Sequence, residues 1–227
     1  MAKIVIKLGK FLFPAKPKLE ALRGYAETLK ELHQKGHRVA VVTGGGETAR
    51  NYISAMRRAG VDESLCDEMG IAVSRINARL LASILGETAY PKIPLSLEEL
   101  KAYFQSGRIT VMGGLTPGHS TMAVGALAAE SIGANLYIIA SDVDGIYSSD
   151  PKKYPKAKKF REISTAKALD MALKGNLWAG TYQLDPLALK IIERSKLTAV
   201  FLDGRNRENI LAAASGRKVG TKITSPR

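Results

Sequence analysis

A chain of 227 residues with 45% hydrophobic and 24% charged side chains can bury a full-sized core and is too evenly mixed for a disordered or low-complexity protein. Its one cysteine, Cys66, excludes an internal disulfide framework and a cysteine-rich metal site, and reads as a small buried hydrophobe in a reducing interior. The net charge of +13 favours acidic partners, yet the lysines and arginines are scattered as on a solvated, thermophile-like surface, and 6% aromatic residues with no recognisable module argue against nucleic acid.

Strands and helices take turns along the chain. "KIVIKL" predicts a first strand, and Leu19, Leu22, Leu29 and Leu32 then recur at helical spacing until Gly36 supplies a stop. "RVAVVTGGG" is a buried-strand pattern running into glycines, and a helix is expected over residues 47–59. The same order repeats in "ITVMGGLTPGHSTMAVGALAAESIG", followed by the strand pattern "NLYIIASDVDGIY". Pro151 to Arg161, rich in lysine and punctuated by proline, is the best candidate for a hinge or mobile loop. "DPLALKIIERSK" reads as a helix with Pro186 in its first turn, and "TAVFLDG" as a further strand. Such alternation predicts an α/β fold in which a mostly parallel central sheet is sandwiched between helices, with ligands at the carboxyl ends of the strands. No apolar run reaches membrane-spanning length, since "AVGALAAESIGANLYIIA" is interrupted by Glu130 and Asn135. Met1 to Lys7 has no signal-peptide core, so a cytoplasmic protein without membrane contact is expected.

Three glycine turns thus fall where ligands bind. Gly44, Gly45 and Gly46 open one helix, and the run from Gly118 to Thr121 opens another, so first-turn amides would face two anions on one sheet. That suits a reaction joining two phosphate groups. Gly113 to Ser120 reads G-G-L-T-P-G-H-S, one residue from the phosphate loop G-x-x-x-x-G-K-[ST], with His119 in the place of the lysine. A mostly neutral histidine cannot supply a fixed charge, so the cation must come from elsewhere. Lys7 at the end of the first strand, Arg50 after "GGG" and Lys190 in the "DPLALK" helix are the candidates.

"IKLG", "VVTGGGETAR", "MGGLTPGHST", "SDVDGIYSSDP" and "AGTYQLDPLALKI", in this order, resemble the amino-acid-kinase superfamily and, within it, the archaeal uridylate (UMP) kinases, over essentially the whole chain. The resemblance implies one amino-acid-kinase domain over residues 1–227, with an acceptor lobe over about residues 1–134 and an ATP lobe over about residues 135–227. It implies UMP and ATP as substrates with Mg2+ accompanying ATP, UTP as a feedback inhibitor, a homohexamer built as a trimer of dimers, and a place in pyrimidine nucleotide biosynthesis. Carried over by residue, UMP falls on Gly45, Asp67, Leu115, Thr116, Pro117, Gly118, His119, Ser120 and Thr121. ATP falls on Lys10, Phe11, Gly46, Arg50, Ser141, Asp142, Tyr147 and Asp150. No residue is assigned as a metal ligand, although Asp142 or Asp144 could hold magnesium indirectly. Two positions depart from the pattern: Lys10 and Phe11 stand where relatives carry small residues, and Met122 where many carry aspartate.

The expected chemistry is in-line transfer of the γ-phosphoryl group of ATP to a phosphate oxygen of UMP. That oxygen is ionised near neutral pH and needs no general base, so catalysis is positioning plus charge neutralisation. Lys7 is the expected transition-state cation, with Arg50 assisting and Asp185 orienting the lysines or metal. The remaining alternatives are a superfamily member with another acceptor (a carboxylate, a carbamate or an isoprenoid phosphate), or a silent nucleotide-binding storage or regulatory protein.

Overall fold

The computed structural model describes residues 1–149, 154–174, 178–179 and 182–225, the last group and 178–179 including four hairpin residues by backbone only. In chain order the elements are β1 (Lys3–Leu8), α1 (Leu19–Gln34), β2 (Arg38–Thr43), α2 (Gly46–Arg58), α3 (Glu63–Leu85), α4 (Leu97–Gln105), β3 (Thr110–Met112), α5 (Thr121–Ile132), β4 (Leu136–Ser141), β5 (Glu162–Ser164), α6 (Thr165–Leu173), β6 (Trp178–Ala179), β7 (Tyr182–Gln183), α7 (Pro186–Arg194), β8 (Ala199–Asp203), α8 (Glu208–Ala214) and β9 (Thr221–Thr224). Short 3-10 turns occupy Lys10–Leu12 and Gly86–Thr88.

Seven strands form one sheet in the order β3-β2-β1-β4-β8-β9-β5. From β3 to β8 all neighbours are parallel, β9 runs antiparallel to β8, and β5 is parallel to β9. The separate β6–β7 pair is an antiparallel hairpin. Because side chains alternate across a strand, each central strand feeds two cores. Val5, Ala40, Val42, Tyr137, Ile139 and Phe201 pack with residues of α4, α5, α6 and α7 on one face. Ile4, Ile6, Leu8, Val39, Val41, Ile138 and Leu202 pack with α1, α3 and α8 on the other. The near-continuous apolar runs in the sequence are therefore strands covered on both sides, the arrangement expected from the alternation of elements.

Local chemistry fixes the helix ends that matter for the site. Ser120 caps α5 by accepting from the Met122 and Ala123 amides at 3.2 and 3.1 Å, and Gly133 closes the same helix in the left-handed conformation. Asp185 caps α7, accepting from Leu187 N at 2.8 Å, with Pro186 in the first turn as the sequence predicts. The described part of the lysine-rich segment is tethered: Phe160 N donates to Ile146 O at 2.9 Å and Ser148 N to Lys158 O at 3.0 Å. Lys159 ion-pairs with Asp144 at 2.8 Å. No described helix is long and apolar enough to cross a membrane.

From β1 the chain moves outward through β2 to β3, then returns by α5 to place β4 on the other flank of β1. Loops leaving the carboxyl ends of β1 and β4 diverge at this reversal, which opens a crevice there.

Candidate active site

A cleft of about 380 Å³ occupies that crevice. Its lining comes from the ends of β1, β2, β3 and β4 and from the starts of α2, α5 and α7, with one face of α3 as a side wall. Of the residues singled out from sequence, it gathers Lys7, Lys10, Gly45, Gly46, Arg50, Asp67, His119, Ser120, Thr121, Ser141, Asp142 and Asp185.

Lys7 is the penultimate residue of β1, opposite Val42 of β2 and Ile139 of β4, so both neighbours fix its backbone and send its side chain into the cleft. Burial pushes its ammonium down to about 8, against the pull of Asp142, and the nearby Lys10 charge lowers it further. Gly9 N donates to Ala140 O at 3.1 Å, and a Cβ at Gly9 would lie 3.3 Å from Lys7 Nζ, so a side chain there would crowd the ammonium. Lys10 turns across the cleft to ion-pair with Asp142 at 3.1 Å. Burial would raise the Asp142 carboxyl, but the hydrogen bond and charge of Lys10 outweigh it and hold the group below its ordinary value. Lys10 and Asp142 thus join the loops after β1 and β4 beside Lys7.

The glycines after β2 let two segments touch. Gly46 has φ +67°, and a Cβ on it would fall 2.1 Å from Phe13 O. A Cβ on Gly45 would fall 2.4 Å from Ala49 Cβ. Bare backbone at the start of α2 therefore faces the cleft, with Arg50 following one turn into the helix. The start of α5 is opposite. Ser120 Oγ donates a short hydrogen bond to Asp185 Oδ2, so the caps of α5 and α7 are locked to each other and both helix N-termini open toward the same space. Tyr137 OH donates to Met122 O at 2.8 Å beneath them, and burial, followed by the Asp185 charge, pushes its phenol well above 10.

Asp67 lies one turn into α3, and its Oδ2 accepts from Gly118 N at 2.7 Å, which ties the glycine-histidine loop to the α3 wall. Arg75 holds the same loop further back, donating to Gly114 O at 3.1 Å and to Leu115 O at 3.3 Å. His119 Nδ1 is 3.3 Å from Pro117 O, a contact within the loop.

Other singled-out residues sit apart from the lining. Leu115, Thr116, Pro117 and Gly118 form the loop that carries His119 without facing the cleft themselves. Phe11 packs its ring on Tyr25, with centroids 5.7 Å apart, and against Gly204. Tyr147 donates to Asp144 at 2.7 Å, and burial together with that bond pushes its phenol up to about 12. Lys190 pairs with Glu193 at 2.9 Å. Asp150 lies outside the described residues.

A model of the amino acid kinase family matches residues 2–203. The chain belongs to the amino acid kinase family. Uridylate kinase of Methanobrevibacter smithii is 42% identical over 98% of this chain and 99% of its own length. Uridylate kinase of Methanocaldococcus jannaschii is 43% identical over 97% of this chain and 99% of its own. The crystal structure of uridylate kinase from Archaeoglobus fulgidus superposes with a TM-score of 0.88 at 39% identity, covering 99% of this chain and all of that one.

In this member of the family, the cleft also contains residues that the sequence motifs did not single out. Ile53 and Gly70 face each other between α2 and α3, beside Ile71, while Ile139, Leu184 and Phe201 form an apolar floor. Helical spacing is the signal that could have found the α3 wall: Asp67, Ile71 and Ser74 follow at i, i+4 and i+7. Among the described residues no three His, Cys, Asp or Glu side chains gather to hold a metal. Asp142 and Asp144 are each engaged by a lysine.

Proposed function

We propose that this chain is a UMP kinase, transferring the γ-phosphoryl group of ATP to UMP to give UDP and ADP. The single observation that carries the reading is the geometry of the cleft: two helix N-termini, those of α2 and α5, converge on one half-buried lysine at the strand reversal. Two anions held at such termini stand on either side of Lys7. The near-full-length identity with archaeal uridylate kinases supports UMP as the acceptor.

On this reading the acceptor lobe, about residues 1–134, holds UMP against Gly45, Asp67 and the 115–121 loop, and the ATP lobe, about residues 135–227, presents ATP from Ser141 and Asp142. A phosphate oxygen of UMP attacks the γ-phosphorus as its bond to the β,γ-bridging oxygen breaks, and ADP leaves with that electron pair. The ionised acceptor has no proton to give up, so no base acts. Lys7 and Arg50 neutralise the charge that moves toward the bridging oxygen, and Asp185, through Ser120, fixes where the α5 amides point. Among the described residues no donor set makes a closed cage for magnesium; the ion would come with ATP as its counter-ion, and Asp142, the carboxylate of the β4 loop that lines the cleft, would be placed to hold it indirectly. The same reading includes a cytoplasmic homohexamer arranged as a trimer of dimers, inhibition by UTP, and a role in pyrimidine nucleotide biosynthesis.

ADP release measured across UMP, CMP, carbamate, carboxylate and isoprenoid phosphate acceptors tests it, UMP being the expected preference; a preference for a non-nucleotide acceptor, or no turnover at all, overturns it. Asp67→Asn should raise KM for UMP about tenfold or more while KM for ATP stays within about twofold, because only one substrate loses a charge-assisted bond. The amide keeps an oxygen for Gly118 N–H, so the loop stays tied. Equal changes for both substrates would remove Asp67 from the acceptor site.

The ammonium lowered to about 8 gives a pH signature. In the free enzyme Lys7 loses its charge as pH rises through that value, so kcat/KM should fall there. Bound phosphates favour the charged form, so the fall in kcat should lie at higher pH. Lys7→Arg should abolish the alkaline fall in kcat/KM, whatever rate it retains. A profile flat to pH 10 in the unmodified enzyme would contradict the assignment.

A further inference from the structure

One face of α3 walls the cleft through Asp67, Gly70, Ile71 and Ser74, opposite Arg50 and Ile53 of α2. A glycine in a helix interior destabilises the helix relative to alanine, so Gly70 requires a reason. Backbone conformation does not supply one, because Gly70 is not among the glycines with positive φ. Close packing does not either. Outside its chain neighbours and its own helix backbone, the only described atom within 4 Å of a Cβ added at Gly70 is the end of the Ile53 side chain, Cδ1 at 3.3 Å, which can swing aside. Gly113, by contrast, would place a Cβ 2.6 Å from the Arg75 backbone nitrogen. The fold has room for a methyl group at Gly70; the cleft is where that methyl group would intrude.

We infer that Gly70 is a specificity-determining residue whose missing side chain clears the space for the base of the acceptor nucleotide. The inference rests on the UMP reading above and deepens it. Asp67, three residues earlier on the same face, has the hydrogen-bonding oxygens that suit sugar hydroxyls, and Ile71 and Ile53 are apolar surfaces that suit the face of a ring. The base therefore belongs at Gly70 and the sugar at Asp67.

Gly70→Ala tests this with three readouts, of which a packing role would reverse the melting temperature. KM for UMP should rise about tenfold or more, the range one methyl group commands in a filled pocket, with KM for ATP within about twofold. The melting temperature should hold or rise by about 2 °C, since alanine favours the helix. Ribose 5-phosphate, which lacks the base, should inhibit competitively against UMP with the same constant in both proteins. An unchanged KM for UMP overturns the inference, as does a melting temperature lowered by about 5 °C or more, which would make Gly70 a packing requirement. A proportional weakening of ribose 5-phosphate overturns it too, by placing the sugar there. If the unmodified protein turns over no UMP, the acceptor reading itself has failed, and this inference with it; normal UMP turnover with an unaffected Gly70→Ala variant sinks the inference alone.

Discussion

Lys7→Met should lower kcat by about 10²–10³-fold, with both Michaelis constants changing about tenfold or less, because a preorganised charge aimed at the migrating phosphoryl group acts mainly in the transition state. Methionine keeps much of the side-chain volume and removes only the ammonium. Stability should not suffer. The folded protein holds this group near 8 against an ordinary 10.5, so folding disfavours its charged form at neutral pH, and the melting temperature should hold or rise. Lys10 provides the comparison, since its ammonium is engaged with Asp142 of the loop after β4. Lys10→Ala should cost clearly less in kcat than Lys7→Met. If single-turnover kinetics reverse that order, the catalytic cation has moved along the loop after β1.

Gly46→Ala should destabilise the fold by about 3 kcal/mol or more, lowering the melting temperature by roughly 6–12 °C. Two costs add. An L-residue at φ +67° is strained by itself, and the new Cβ would sit 2.1 Å from Phe13 O, a backbone atom with little freedom to retreat. Phe13 O also accepts from Glu47 N at 2.9 Å, so the clash breaks the bond that starts α2. Gly133→Ala isolates the first cost: its φ is +60° but the nearest atom to an added Cβ is Lys3 Nζ at 3.8 Å, and it should lose only about 1–2 kcal/mol. Equal losses at the two positions, measured by thermal and denaturant unfolding, would show that the Phe13 contact carries no energy.

The strands that build the cleft were legible because burial on both faces leaves unbroken apolar runs, as in "KIVIKL" and "RVAVVT", and because Ser120, Asp185 and Pro186 announce helix starts by their own chemistry. The side wall was not. Its helix α3 carries Gly70 in its interior and presents Leu65 and Ile76 to solvent, which blurs the periodicity by which a helix is read. Which lysine enters the cleft could not be settled by spacing. Lys190 lies in the helix that Asp185 starts, yet 3.6-residue geometry turns it toward Glu193, while Lys7 is delivered by register with β2 and β4. The Lys10–Asp142 pair and the Ser120–Asp185 bond join residues far apart in the chain, and only the strand order brings them together.

That strand order also sets when the machinery can exist during folding. β1 lies between β2 and β4, with Ile4 paired to both Val39 and Leu136, so the first strand of the chain cannot be enclosed until the fourth has docked. A helix-linked β1–β2–β3 unit would leave one edge of β1 open, an unpaired hydrophobic edge of the kind that recruits other chains. Such long-range closure is slow, because loop entropy is spent before the contacts repay it. Refolding at high protein concentration should therefore lose yield at this intermediate, and Lys7 acquires its half-buried setting only in the step that removes the edge.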